Sequence, residues 1–258
     1  MALQQDYARR ILPLLDLTRL NDGDSDSHIH RLCARASTPA GTVAAVCVWP
    51  SLVAAARQGL ARAQLQNQVK VAAVANFPDG DEDLEHVLEE VNSAVTSGAD
   101  EIDLVFPYRA LMAGDERAGY QLVSRCRQSL TGYTLKVILE TGELKDAGLI
   151  RTAAEIAISA GADFLKTSTG KVEVNATPDA AMIMMEAIRD SARPVGFKAA
   201  GGIRTIAEAS AYLDLASDIL GESWLRPERF RFGASSLLDD LLHTLGLGAK
   251  PVNLPSRY

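Results

Sequence analysis

The chain has 258 residues, enough for one large domain or two ordinary ones, and a formal net charge of −7. A content of 47% hydrophobic and 23% charged residues excludes a wholly disordered chain. The negative charge argues against nucleic acid or an anionic membrane as partners, and no apolar run approaches the roughly 20 residues of a membrane span. The N-terminus lacks the apolar core of a signal peptide. Three widely spaced cysteines, at 33, 47 and 126, favour a reducing compartment, so we expect a cytoplasmic protein.

Eight short apolar segments alternate along the chain with helical patterns and predict β-strands. They span residues 11–17, 43–49, 69–76, 101–106, 135–140, 163–167, 195–198 and 230–233. Successive segments are separated by about one βαβ unit, roughly 30 residues. This spacing predicts an α/β fold of the (β/α)₈ TIM-barrel type rather than an open sheet.

The segments between the strands carry their own helix signals. Apolar residues recur at helical spacing from Leu84 to Val95, and Gly98 and Gly161 each end a helix within a repeated Gly-Ala-Asp sequence. Thr177-Pro178 predicts the start of another helix. No linker or low-complexity tract interrupts the pattern. We therefore expect a single domain over residues 1–258, with a flexible tail from about residue 246.

Four charged residues lie at or near the C-terminal ends of predicted strands, namely Asp16, Asp103, Lys166 and Lys198. Charged side chains inside barrel strands are unfavourable unless they are paired or line the open end, where barrel enzymes have their active sites. Any one of them could be a buried ion pair or a solvated strand end. Two lysines and two aspartates at one rim favour a functional set.

Two lysines at one rim indicate chemistry at an amine. A lysine is nucleophilic only when neutral, and its ordinary pKa is about 10.4. A second ammonium group about 4 Å away, at an effective dielectric constant near 20, disfavours the charged form by about 4 kcal/mol. That corresponds to about three pKa units, so one lysine could attack a carbonyl while the other stays charged. A nearby aspartate could move protons.

Glycine, serine and lysine residues follow the last three predicted strands in pairs: Gly170-Lys171, Gly201-Gly202 and Ser235-Ser236. The second pair precedes a capping box formed by Thr205 and Glu208, so a helix should begin there. Helix N-termini bind anions, and TIM barrels commonly hold phosphate with the loops after strands seven and eight. Each pair alone is ordinary turn chemistry. Together they predict a phosphate site, whereas the missing GxxxxGK[ST] and GxGxxG motifs argue against ATP and NAD.

The remaining reactive side chains are weaker candidates. Cys47 ends the second predicted strand and could face the site, but the default for such a thiol is burial without reactivity. His28 and His30 lie two residues apart near a predicted helix start, and we do not expect a metal site there.

Long ordered motifs resemble the deoxyribose-phosphate aldolases, a family of class I aldolases with a (β/α)₈ barrel. They are LLDLTRLN, AAVCVWP, VANFPDG, GADEIDLVFPYRALMAGDE, LKVILETGELKD, AGADFLKTSTGK, VGFKAAGGIRT and RFGASSLL, and they span nearly the whole chain. One departure is that the family's KPAGG is Lys198-Ala-Ala-Gly-Gly202 here. Without the proline the turn should loosen slightly, but the lysine and both glycines remain.

The resemblance implies a role for each candidate residue. Lys166 would form a Schiff base, Lys198 would be the cation that lowers its pKa, and Asp103 would assist proton transfer. The phosphate would be held by Gly170, Lys171, Gly201, Gly202, Ser235 and Ser236. The substrate implied is 2-deoxy-D-ribose 5-phosphate, cleaved reversibly to D-glyceraldehyde 3-phosphate and acetaldehyde without a metal or organic cofactor.

Four further residues are accessory candidates: Asp16, Thr18, Cys47 and Tyr258. The resemblance implies that the tail carries its terminal tyrosine over the pocket, where the phenol helps to move a proton on the acetaldehyde-derived carbon. The alternative for the tail is a frayed chain end.

Two other functions stay open at this point. A phosphate-binding barrel isomerase or synthase would use the glycine loops but not the paired lysines. A catalytically silent sugar-phosphate sensor would have lost a reactive residue, whereas Lys166, Lys198 and Asp103 are all present. The sequence leaves the oligomeric state open, a homo-oligomer included.

Overall fold

Eight parallel strands close into a barrel in the computed structural model, which describes residues 2–249 and 251. The barrel strands are β1 (Leu15–Thr18), β4 (Ala45–Val48), β5 (Lys70–Ala75), β6 (Glu101–Val105), β7 (Thr134–Ile138), β8 (Phe164–Lys166), β9 (Gly196–Ala200) and β10 (Phe230–Ala234). Two short antiparallel strands, β2 (Ser37–Thr38) and β3 (Gly41–Thr42), form a separate hairpin. Closure comes from the pairing of β1 with both β4 and β10. The predicted TIM-barrel fold is confirmed.

Helices cover the outside of the barrel. They are α1 (Ala2–Ile11), α2 (Asp26–Arg35), α3 (Val53–Arg62), α4 (Leu84–Thr96), α5 (Tyr108–Met112), α6 (Glu116–Ser129), α7 (Thr141–Leu144), α8 (Ala147–Ser159), α9 (Pro178–Ser191), α10 (Ile206–Leu220) and α11 (Leu237–Thr244). The main apolar core lies between their inner faces and the strands. In the described part of the chain, every helix falls short of the length and apolar character that a bilayer span needs.

The first predicted strand, 11–17, is wrong at its beginning. Ile11 is the last residue of α1, and Leu12–Leu14 forms a single 3₁₀ turn before β1 begins at Leu15. Pro13 lacks a backbone N–H group and fits the start of such a turn. Leu12 and Leu14 are nevertheless buried. The apolar run in the sequence therefore comes from a buried turn and not from a longer strand.

The predicted helix boundaries depend on local chemistry that the structure bears out. The side chains of Thr177 and Thr205 accept hydrogen bonds from the backbone at the starts of α9 and α10, and Glu208 completes the capping box of α10. Gly98 and Gly161 follow α4 and α8 with φ values of 107° and 103°. Side chains rarely adopt such backbone angles, which explains the repeated glycine.

The strand register brings charged residues together inside the barrel. Lys166 of β8 is paired with Lys198 of β9, and Asp103 of β6 is paired with Lys136 of β7. Because side chains alternate between the two faces of a strand, the register fixes which of them point inward together. The candidate site is built on these positions.

Candidate active site

Seven charged side chains fill the barrel beneath its C-terminal end, and each is at most 5% exposed: Asp16, Glu101, Asp103, Lys136, Lys166, Lys198 and Arg231. Such burial is tolerable only because every charge has an oppositely charged partner. All four charged residues singled out from the sequence belong to this cluster. Asp16, Asp103 and Lys198 are fully buried below the rim, whereas Lys166 ends its strand at the cavity.

Asp103 is the centre of the cluster. Its Oδ1 accepts a hydrogen bond from Lys136 Nζ at 2.8 Å, and its Oδ2 accepts from Lys166 Nζ at 2.9 Å and from Lys198 Nζ at 2.8 Å. Burial by itself would raise the pKa of Asp103, but the three ammonium groups outweigh it and hold the pKa well below its ordinary value. Asp103 is therefore an ionised carboxylate at neutral pH.

Lys198 keeps its positive charge in this setting. Its Nζ lies 2.5 Å from Asp16 Oδ2 and 2.8 Å from Asp103 Oδ2. Burial would lower the pKa of Lys198, but the two carboxylates outweigh burial and raise the pKa above its ordinary value. The arrangement therefore provides a permanent cation beside Lys166, joined to it through one shared oxygen atom.

Lys166 differs from the other lysines in two respects. It ends β8 and lines the cavity at the open end of the barrel, whereas Lys136 and Lys198 are sealed beneath it. Among the described residues, Asp103 is its one ion-pair partner, while Lys198 has two carboxylate partners and Lys136 has three. Lys166 is thus the amine that a molecule in the cavity can reach.

A deeper layer of the cluster was missed from the sequence. Lys136 Nζ lies 2.5 Å from Glu101 Oε2 and 2.8 Å from Asp103 Oδ1, and Arg231 donates to Glu101 at 2.9 Å and to Asp16 at 2.5 Å. These carboxylates raise the pKa of both Lys136 and Arg231 above ordinary values, although burial opposes them. All three residues are charges within predicted strands, but they lie near the N-terminal ends of those strands, so a criterion based on the C-terminal ends did not select them.

A cavity of about 340 Å³ opens above Lys166, and its walls include all six residues of the predicted phosphate site: Gly170, Lys171, Gly201, Gly202, Ser235 and Ser236. Gly201 and Gly202 have φ values of 88° and 83° and precede the start of α10. Ser235 and Ser236 precede α11. Two helix N-termini therefore approach one cavity, which is the arrangement that favours an anion.

Two cationic side chains besides Lys166 line this cavity, those of Lys171 and Arg204. Lys171 Nζ donates to the backbone oxygen of Leu20 at 2.7 Å and lies 6.0 Å from the ring centre of Trp49. Arg204 is exposed, lines the cavity and follows the glycine pair. Arg204 was not among the predicted site residues, although its place in the loop after the seventh barrel strand is the same kind of signal. Both side chains supply positive charge near the helix N-termini.

The accessory candidates fall into different positions. Thr18 lines the cavity and donates to the backbone oxygen of Asp16 at 2.9 Å. Cys47 is buried, with its Sγ 3.9 Å from Asp103 Oδ2. Burial and the neighbouring charge of Asp103 raise the pKa of the Cys47 thiol, which favours its protonated form. Tyr258 lies outside the described residues.

A family model described as DeoC/LacD family aldolase matches residues 10–243 of the chain. The matched segment contains every member of the charged cluster and all six residues of the predicted phosphate site.

Three solved structures illustrate the likeness. A provisionally named deoxyribose-phosphate aldolase from Toxoplasma gondii ME49 is 28% identical, with a TM-score of 0.88 over 94% of this chain and 95% of that one. One from Coccidioides immitis, also provisionally named, is 31% identical, with a TM-score of 0.79 over 92% and 87%. A tetrameric deoxyribose phosphate aldolase from Aeropyrum pernix is 26% identical, with a TM-score of 0.73 over 96% and 94%.

The deep layer yields a stability prediction. Lys136→Met removes a buried ammonium group and leaves Asp103 and Glu101 with fewer partners, so we expect a loss of about 3–5 kcal/mol in unfolding free energy at neutral pH. Urea unfolding of the wild type and of Lys136→Met measures this loss in unfolding free energy. Lys70→Met, at an exposed lysine, is the matched control and should change stability by less than about 0.5 kcal/mol.

The same variant should show a pH dependence of known sign. The low pKa of Asp103 means that its ion pairs contribute stability that is present above its ordinary value of 3.8 and lost as the pH falls toward the lower native value. Without Lys136, folded Asp103 binds its proton at higher pH. The difference between wild type and variant should therefore shrink below pH 3.8, and a constant difference would contradict the assignment.

Proposed function

Because the chain belongs to the DeoC/LacD family of aldolases, we propose that it cleaves 2-deoxy-D-ribose 5-phosphate reversibly to D-glyceraldehyde 3-phosphate and acetaldehyde. The reaction passes through a Schiff base on Lys166. One observation carries the proposal: of the three lysines that share Asp103, Lys166 alone lines the cavity that the two helix N-termini approach.

The chemistry follows from the order of the groups in the site. The neutral amine of Lys166 attacks C1 of the open-chain sugar, and the resulting carbinolamine takes up a proton and loses water to give a protonated imine. That positive charge draws electrons from the C2–C3 bond, which breaks as the C3 hydroxyl loses its proton and becomes the aldehyde of glyceraldehyde 3-phosphate. The enamine left on Lys166 takes a proton at C2, and hydrolysis releases acetaldehyde.

Lys198 and Asp103 have separate roles in this scheme. Lys198, held charged by Asp16 and Asp103, disfavours a second positive charge on Lys166 and so favours the nucleophilic amine. Asp103 bonds both lysines through one oxygen and can pass a proton along this contact. The carbinolamine, imine and hydrolysis steps each need such a transfer.

The cavity accounts for the phosphate on C5. Gly201, Gly202 and Ser236 line the cavity and can offer it backbone N–H groups, and Lys171 and Arg204 add positive charge to its wall. A phosphate fixed there places the other end of the sugar over Lys166. Binding energy from the phosphate then positions the reacting carbonyl.

Reductive trapping tests the proposal directly. Acetaldehyde with borohydride should add an ethyl group to Lys166 of the wild type, located by peptide mass spectrometry. Lys166→Arg keeps the charge but forms no usable imine, so trapping and turnover of deoxyribose 5-phosphate should both disappear. A fully active variant that traps acetaldehyde at another lysine would refute Lys166 as nucleophile. A wild type that cleaves no substrate and traps nothing would refute the aldolase mechanism.

Charge substitution tests the phosphate wall. Ser235→Asp places a negative charge beside the expected phosphate, so kcat/KM for deoxyribose 5-phosphate should fall by about tenfold or more. Cleavage of unphosphorylated deoxyribose should change far less. Ser235→Asn is the matched neutral control. Equal losses on both substrates would place the phosphate elsewhere.

A further inference from the structure

Glu140 is a buried carboxylate with an unusual backbone conformation. It lies two residues beyond the end of β7, is fully buried, and has left-handed backbone angles of φ 57° and ψ 57°. A residue other than glycine seldom adopts these angles, and such conformations concentrate at functional sites. The scheme above does not use Glu140.

The carboxylate of Glu140 holds one residue of the loop that follows β8. The hydroxyl of Thr169 donates to Glu140 Oε2 at 2.5 Å, and the backbone N–H of Thr169 donates to Oε1 at 3.2 Å. The same Thr169 hydroxyl oxygen accepts a hydrogen bond from the backbone N–H of Lys171 at 3.0 Å. Glu140, Thr169 and Lys171 thus form a chain that ends at the cavity wall.

The segment after β7 supports this loop at further points. Thr141 N–H donates to the backbone oxygen of Thr167 at 3.0 Å. Gly142 approaches the far part of the loop so closely that an added Cβ would lie 1.7 Å from the backbone oxygen of Val174. The three consecutive residues from Glu140 to Gly142 therefore form a platform under the loop from Thr167 to Val174.

Glu140 contacts the loop rather than the reactive lysine. No ion pair joins it to Lys166 within the described residues, although the charge of Lys166 is close enough to lower the pKa of Glu140. Burial outweighs that charge and the Thr169 hydrogen bonds, so the pKa of Glu140 is raised. Both oxygen atoms of the Glu140 carboxylate accept hydrogen bonds from Thr169. These contacts indicate that Glu140 holds Thr169 in position.

We propose that Glu140 is a positioning residue that holds Thr169 so that Gly170 and Lys171 face the phosphate of the substrate. The proposal rests on the function proposed above. In this proposal Glu140 contributes to the binding of the substrate phosphate, while Lys166 and its partners carry out the cleavage of the carbon–carbon bond.

The test compares near-isosteric variants. Glu140→Gln replaces one acceptor oxygen by an NH₂ group, and Thr169→Val removes the hydroxyl at nearly constant volume. Each should raise KM for deoxyribose 5-phosphate about tenfold, the effect of losing a hydrogen bond to a charged group. The kcat for unphosphorylated deoxyribose and borohydride trapping at Lys166 should stay within about twofold of wild type. Thr169→Ser keeps the hydroxyl and should restore the wild-type KM.

Coupling between the two residues is measured by the double variant. Glu140→Gln combined with Thr169→Val should be no worse than Thr169→Val alone, because the Thr169 hydroxyl mediates both the contact with Glu140 and the contact with the Lys171 N–H. Additive losses in KM would overturn the proposal. Equal losses in kcat on phosphorylated and unphosphorylated substrates would also overturn it, since Glu140 would then act on the chemistry at Lys166.

Titration with inorganic phosphate separates this proposal from the aldolase proposal. Wild type, both single variants and Thr169→Ser are titrated and followed by ³¹P NMR, which requires no turnover. Weaker phosphate binding in Glu140→Gln and Thr169→Val, but not in Thr169→Ser, supports the positioning role. Unchanged phosphate binding in both variants overturns it. Failure of wild-type trapping and cleavage would refute the aldolase function without changing this outcome.

Discussion

The carboxylate of Asp103, shared by three buried ammonium groups, is the interaction on which the rest of the site depends. An unpaired charge in a barrel interior would be strongly unfavourable, and Asp103 accepts from all three lysines while Asp16 and Glu101 supply further partners to Lys136 and Lys198. Strand register supplies the convergence, since β6, β7, β8 and β9 are consecutive neighbours. Lys166 is then placed at the cavity with its partners fixed from below.

The site separates two tasks along the axis of the barrel. Below lies the ion-paired cluster, to which the proposed function assigns charge balance and proton transfer. Above, the loops after β8, β9 and β10 form much of a cavity that four glycines and two serines line together with charged and apolar residues. Such a wall suits a phosphate because glycine and serine residues ahead of two helix N-termini leave backbone N–H groups close to the cavity. Glu140 lies between the two levels and links the end of β7 to the cavity loop.

Sequence patterns predicted the fold, Asp16, Asp103, Lys166 and Lys198, because strand period and charge placement are local properties. They did not predict Lys136, Glu101 and Arg231, since these charges lie near the N-terminal ends of the predicted strands, and their pairing with Asp103 and Asp16 appears only in the barrel. Glu140 ends the predicted strand 135–140, so its charge was visible in the sequence, whereas its left-handed conformation and its bonds to Thr169 were not. The first predicted strand begins too early for a different reason. Leu12 and Leu14 are apolar because they are buried, but they lie in a turn and not in a strand.

The pH profile of imine trapping, compared between wild type and Lys198→Leu, tests the central claim most directly. Without Lys198, Asp103 and Asp16 lose a cation and the like charge beside Lys166 is gone, so both changes favour a charged Lys166. The half-maximal pH of borohydride trapping with acetaldehyde should rise by about 1–3 units, while Lys198→Arg should stay near wild type. An unshifted profile in Lys198→Leu would show that desolvation alone activates Lys166, and would contradict the account.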